Sequence, residues 1–197
     1  MKIYLASASP RRREILNLAG IRHSVVLPSV SEDLEDGVKP CNAVVMLSER
    51  KAEAAFALID ERDDDFAVIA ADTVVALGDK IFGKPRNGKD AFEILRQLSG
   101  ARHEVFTGVT IASPGKRISF FEQSYVYFNE LSDEEIEAYI SSGEPMDKAG
   151  AYGIQGRGCV FVKRIEGDFF NIMGLPVAKV YDALKSEFSY KPALSEE

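Results

Sequence analysis

The sequence predicts an α/β fold in which helices flank a mixed β-sheet. Three features carry this prediction. The chain opens as strand, tight turn and helix; a long apolar, β-branched run follows a second helical pattern; and the middle of the chain holds neighbouring strand-like runs separated by short turns. Parallel α/β units and antiparallel hairpins together require a sheet of both kinds.

Taken in order, "KIYLA" reads as the first strand. In "SPRRREILNLAG", Ser9 is the N-cap, Pro10 occupies the first helical position, Ile15, Leu16 and Leu18 supply apolar residues, and Gly20 is the stop. "HSVVLPS" reads as a second strand and "VSEDLEDGVK" as a polar loop. Pro40 then opens a helix through "CNAVVMLSERKAEAAFALIDE", with Lys51 near its middle. "FAVIAADTVVAL" is a buried strand interrupted by Asp72 and Thr73, and "GDKIFGKP" is a hairpin leaving it. "KDAFEILRQLSG" is a helix stopped by Gly100. Strands at "EVFTGVTIAS" and "RISFFEQSYVYF" flank a "PGK" turn, and "SDEEIEAYISSG" carries a capping box from Ser132 to Glu135. A glycine-rich loop, "EPMDKAGAYGIQGRG", leads to strands at "CVFVKRI" and "DFFNIMG" and to a last helix from Pro176. Residues 1–187 are expected to fold as a single domain, and 188–197 to form a polar tail.

Composition narrows the functional classes. Hydrophobic residues make up 46% of the 197-residue chain, enough for a sizeable core. The formal net charge of −7 disfavours a sequence-independent grip on nucleic acid, although a locally basic site for a small anion stays open. Cys41 and Cys159 form no CxxC pair and give neither a disulfide framework nor a zinc signature, so a reducing cytoplasm is the expected location. The first apolar run is too short for a signal segment or a membrane span, and no membrane partner is expected.

Ser7, Ser9 and Arg11 to Arg13 surround a helix N-terminus, whose unpaired N–H groups favour anions. This is either a phosphate cradle or a solvated helix surface with local ion pairs. At most one or two of the three arginines are expected to reach one ligand, because helix neighbours diverge by about 100°. Asp72 inside an apolar run needs a cation, a metal or hydrogen bonds to offset its burial. It either holds Mg²⁺ or activates water, or it is a structural residue capping a turn. Lys51 and Lys84 read by themselves as ordinary solvated lysines. Within "DKAGAYGIQGRG" the glycines permit a close approach to a ligand or simply make a flexible connector, Gln155 is suited to reading a base edge, and Tyr152 or a neighbouring aromatic to stacking on it. With only His23 and His103, and no Ser-His-Asp or Cys-His arrangement, nucleophilic catalysis is disfavoured relative to metal-assisted attack of water on a phosphate.

Taken together, "LASASPRR", "SERKAEAA", "AADTVV", "GKPRN" and "EPMDKAGAYGIQGRG" resemble, in order and over nearly the whole chain, the Maf family of nucleotide pyrophosphatases. The resemblance implies an elongated mixed sheet of the inosine-triphosphate-pyrophosphatase type, with two lobes and a central cleft. It implies hydrolysis of a nucleoside triphosphate to the monophosphate and pyrophosphate with a divalent cation, Mg²⁺ or Mn²⁺. On this resemblance Asp72 is the proton acceptor and a metal contact, and Glu32 a second metal contact. Ser7, Arg11, Lys51 and Lys84 bind phosphate. Arg11, Thr73 and Gln155 resemble the branch that acts on dTTP and UTP. A regulatory protein linked to inhibition of septum formation and a purine- or inosine-triphosphate-directed enzyme are the alternatives; the sequence does not specify an oligomeric state, and a homodimer is the default among oligomers.

Overall fold

The computed structural model describes residues 1–34, 37–59 and 65–191. The elements in chain order are β1 (Lys2–Ala6), α1 (Pro10–Leu18), β2 (Ser24–Val25), α2 (Pro40–Phe56), β3 (Phe66–Leu77), β4 (Lys80–Phe82), α3 (Gly88–Leu98), β5 (Arg102–Ser113), β6 (Lys116–Phe128), α4 (Asp133–Ser141), β7 (Val162–Glu166), α5 (Phe169–Met173) and α6 (Val177–Phe188). The seven strands form one mixed sheet in the order β2-β1-β3-β5-β6-β7, with β4 paired to β3. β1 runs parallel to β2 and β3, whereas β4 is antiparallel to β3 and β7 to β6.

The chain divides into two compact units. One comprises the described residues of Met1–Asp72, Thr107–Glu122 and Gly174–Glu197, the other Thr73–Phe106 and Gln123–Met173. In the first unit, α2 lies on the sheet through a seam of small and hydroxyl residues. A Cβ on Gly108 of β5 would sit 2.2 Å from the Val44 carbonyl oxygen, so this helix approaches the strand as closely as only glycine permits. One helical turn further, the Ser48 hydroxyl meets that of Thr110 at 2.8 Å, and Thr110 meets Ser119 at 3.0 Å. Tyr4 and Phe56 pack against Phe66 in the same unit. In the second unit, His103, Phe128, Tyr152 and Phe161 form an aromatic cluster with edge-to-face contacts. Tyr139 of α4 joins it through Phe161.

Local signals are realised where they were strongest. Ser9 caps α1 by accepting from the Arg12 amide, and Ser132 and Glu135 form the reciprocal capping box of α4. Four segments differ from expectation. β2 shrinks to two residues, because beyond the Val26 N–H bond to Leu5 the chain exposes Leu27 and meets Pro28, which has no N–H to give. α2 ends at Phe56: its buried stripe stops at Ala55, and Leu58 is exposed. Residues 60 and 61 of that expected helix lie outside the described residues. The loop of residues 144–158 contains 3₁₀ turns at Glu144–Asp147 and Ala149–Ala151, and a third at Arg157–Phe161 takes the first residues of the expected strand.

The fourth difference is the segment 168–174, in which Phe169–Met173 form a helix rather than a strand. The Asp168 carboxylate accepts the Phe170 amide at 2.8 Å, and the buried Asn171 side chain donates to the Val105 carbonyl and the Ser124 hydroxyl. These polar anchors outweigh the strand propensity of Phe and Ile. At the C-terminus α6 includes the buried Phe188, one residue into the expected tail, and residues 192–197 lie outside the described residues. Neither cysteine is in a disulfide. Among the described residues, no helix is long and apolar enough to cross a membrane.

Candidate active site

The parallel register of β1 on β3 sets the site in the first unit. Ala6 lies opposite Ala70, so the turn of residues 7–9 leaves β1 beside the part of β3 that continues to Asp72. Ligands of α/β sheets collect at the carboxyl ends of parallel strands, where helix N-termini also point. Ser7 is buried at this turn, and its hydroxyl accepts from the Ser9 amide and from Arg12 Nη1, both at 3.2 Å. Arg12 Nε donates to the Gly174 carbonyl at 2.8 Å. The guanidinium is thereby fixed at two points.

Asp72 is 8% exposed, and its burial is compensated by Lys51, whose Nζ lies 2.5 Å from Asp72 Oδ1. The same ammonium is 2.7 Å from Glu32 Oε1. Lys51 reaches this point because α2 is docked tightly at Val44, seven residues or about two turns earlier on the same face. Burial lowers the Arg12 pKa, the neighbouring Arg11 charge adds to that, and Asp72 and Glu32 push it back up. Arg12 nevertheless remains a cation at any working pH. Two carboxylates and two cations therefore share one small volume beside a helix N-terminus.

Of the expected site residues, Ser7, Lys51, Asp72 and Glu32 come together here, and Arg11 is close enough to act on Arg12. It is Arg12, not Arg11, that bonds Ser7. The signal was present in the sequence: the third residue of a helix sends its side chain back over the cap, toward Ser9 and the turn before it. Arg13 is exposed. Gly174 was not foreseen, because its segment was read as a strand. Thr73, Lys84 and Gln155 belong to the second unit: Thr73 follows Asp72 in β3, Lys84 is exposed after β4, and Gln155 is exposed between Gly153 and Gly156. Tyr152 does not offer a stacking face. It is buried in the aromatic cluster, with its hydroxyl 2.9 Å from His103 Nε2.

No cluster of three or more metal-ligating side chains occurs among the described residues. Asp72 and Glu32 nevertheless converge on one point, as their shared contact with Lys51 shows. Two hard carboxylate donors fit Mg²⁺ or Mn²⁺, which typically take one or two protein carboxylates and complete their shell with water and substrate phosphates.

Fold and site together define an α/β protein that gathers two carboxylates and two cations beside a helix N-terminus. The comparison with known proteins narrows this class. Residues 2–187 match the family described as Maf-like protein, and the chain belongs to the Maf family. A protein of Carboxydothermus hydrogenoformans named dTTP/UTP pyrophosphatase is 50% identical over 192 residues, covering 96% of this chain and all of that one. A Bacillus thuringiensis subsp. konkukian protein of the same name is 45% identical over 184 residues, 93% of this chain and 94% of that one. Among solved structures, the Staphylococcus aureus Ham1 protein aligns with a TM-score of 0.39 at 14% identity over 66% of this chain and 73% of that one.

Proposed function

We propose that this protein hydrolyses dTTP and UTP to their monophosphates and pyrophosphate, with Asp72 as the general base. The names of its full-length relatives support the reaction and the substrates. The observation that carries the assignment to residues is Lys51, which joins Asp72 to Glu32 beside the Ser7 and Arg12 turn. In the reaction the oxygen of water bonds to phosphorus, the α–β anhydride bond breaks, and pyrophosphate leaves. Asp72 accepts the proton of the attacking water. Arg12, Arg11, Ser7 and the α1 N-terminus bind phosphate oxygens and favour the charge that develops on them. Lys51 and Lys84 add point charges for the same oxygens.

Asp72 and Glu32 are the residues that would hold Mg²⁺ or Mn²⁺, which when bound neutralises phosphate charge and polarises the anhydride. Gln155 selects the base: its side-chain amide both donates and accepts, and so matches the O4 acceptor and N3–H donor of uracil and thymine. Thr73 contributes to the same selection.

The test is pyrophosphate release from dTTP, UTP, CTP, dATP, GTP, ITP and 7-methyl-GTP with Mg²⁺ or Mn²⁺, run beside Asp72→Asn. Preferred cleavage of dTTP and UTP is expected, with turnover by the folded variant down by two or more orders of magnitude, about what a general base contributes. Near-normal turnover by folded Asp72→Asn would remove the base assignment. Preference for a purine would remove the substrate assignment.

A further inference from the structure

The glycines of "GIQGRG" do not simply loosen the chain. A Cβ on Gly156 would lie 2.3 Å from Glu144 Oε1, one on Gly153 would lie 2.7 Å from Lys148 Cε and 3.2 Å from Glu144 Oε1, and one on Gly158 would lie 2.9 Å from the Gly153 carbonyl. The loop is wrapped around a carboxylate. Glu144 Oε2 accepts the Arg157 amide at 2.9 Å, while Oε1 accepts the Gly158 amide at 3.3 Å and the Tyr139 hydroxyl at 2.9 Å. That hydroxyl in turn accepts the Gly153 amide at 3.1 Å. Lys148 donates to the Glu144 backbone carbonyl at 2.6 Å.

Every one of these groups lies in the second unit, and the fixed amides bracket Gln155 on both sides, at 153 and at 157 and 158. Burial raises the Glu144 pKa. The hydrogen bonds from Arg157, Tyr139 and Gly158, with the Lys148 charge, outweigh it and leave the carboxyl below the ordinary glutamate range. The group is therefore an acceptor only, matched to three donors.

We infer that Glu144 is a positioning residue for base selection: its carboxylate, directly and through Tyr139, clamps the backbone on either side of Gln155 and thereby aims that amide. The inference rests on the proposed role of Gln155. It assigns the discrimination between bases to two groups that touch no substrate. Glutamine at 144 keeps the size but replaces one acceptor oxygen with an NH₂ that faces backbone N–H groups, so the clamp loses its polarity match while the rest of the unit is undisturbed.

The experiment compares wild type, Glu144→Gln, Gln155→Ala and the double variant, measuring kcat/KM for dTTP and dCTP by pyrophosphate release. Glu144→Gln is expected to narrow the dTTP to dCTP ratio about tenfold, the size of a lost hydrogen bond to a charged group. The double variant is expected to be no less selective than Gln155→Ala alone, because coupled residues are not additive. A purely structural role lowers both substrates equally and leaves the ratio intact, and that result overturns the inference. If Gln155→Ala itself leaves the ratio unchanged, the reading of Gln155 falls, and the inference with it. If Gln155→Ala abolishes selectivity while Glu144→Gln retains it, the inference alone falls. Should Glu144→Gln fail to fold, Tyr139→Phe removes only the relay to Gly153 and is read in the same way.

Discussion

Replacing Gly108 by alanine tests whether helix docking aims Lys51 at Asp72. The added methyl would lie 2.2 Å from the Val44 carbonyl oxygen, 2.3 Å from its carbon and 2.7 Å from the Val45 nitrogen, all backbone atoms of α2 that cannot rotate away. Ordinary carbon contacts fall near 3.5 to 4 Å, so α2 must withdraw from β5 by roughly 1 Å or more. Overpacking of this kind costs about 1–3 kcal/mol, which for a chain of this length lowers the Tm by roughly 2–12 °C. The helix carries Lys51 with it, lengthening its contacts with Asp72 and Glu32 from 2.5 and 2.7 Å. A displacement of that size at a catalytic group costs up to about a hundredfold in rate. The assay is pyrophosphate release from dTTP together with thermal melts, with Gly83→Ala, where a Cβ meets nothing within 4 Å, as the control. A folded Gly108→Ala protein with wild-type turnover and an unchanged Tm would refute the coupling of the seam to the site.

Other outcomes follow from the same geometry. Arg12→Lys, which cannot reproduce the paired bonds to Ser7 and Gly174, is expected to raise the KM for dTTP about tenfold and by more than Arg11→Lys does; equal effects would return the leading role to Arg11. Dialysis against EDTA is expected to abolish turnover, and Mg²⁺ or Mn²⁺ to restore it; activity that survives chelation removes the metal role of Asp72 and Glu32. Burial lowers the His103 pKa to about 3. Between the unfolded value near 6.5 and that point, the unfolded chain binds more protons than the folded one. The stability this neutral ring preserves is present above pH 6.5 and is lost as pH falls, by at most about 1.4 kcal/mol per pH unit. Melts from pH 7 to 5 should therefore show a smaller decline for His103→Phe than for wild type, and parallel declines would exclude His103 as the acid-sensitive group.

What the sequence made legible was local. Ser9, Pro10 and the Ser132 to Glu135 box specify their helix starts within four residues, and the apolar run around Asp72 reads as a strand because nothing in it competes. Arg12 was within reach of the same reasoning, since helix geometry alone turns the third residue back over the cap. Gly108 was not. Its meaning depends on which helix crosses β5 and at what height, a tertiary fact that no spacing encodes. Glu144 was hidden for a related reason, because its partners are backbone amides, which every residue but proline carries. The segment 168–174 was misread because Asn171, the residue that decides it, acts through bonds to strands more than forty positions away.

The basic cluster near the N-terminus of an acidic chain has a physical reason that neither the net charge nor the cluster alone supplies. Buried charges left unpaired are costly, so a site that must receive several phosphate charges cannot simply store unopposed cations. Here the cations are held by partners within the protein: Lys51 by Asp72 and Glu32, and Arg12 by acceptors on Ser7 and Gly174 together with the charges of the same two carboxylates. Arg12 is aimed by uncharged oxygens on Ser7 and Gly174, and the charges of Asp72 and Glu32 act on it as well. Lys51 is already balanced, so phosphate oxygens compete for it with two carboxylates. On the proposed mechanism, any loosening of its hold on Asp72 takes the short Lys51 contact from that carboxylate where a base is needed beside the anhydride. Lys51 makes the short contact to the proposed base, whereas Arg12 is fixed to the turn before α1, so Lys51→Met is expected to disturb turnover more than KM and Arg12→Lys to do the reverse.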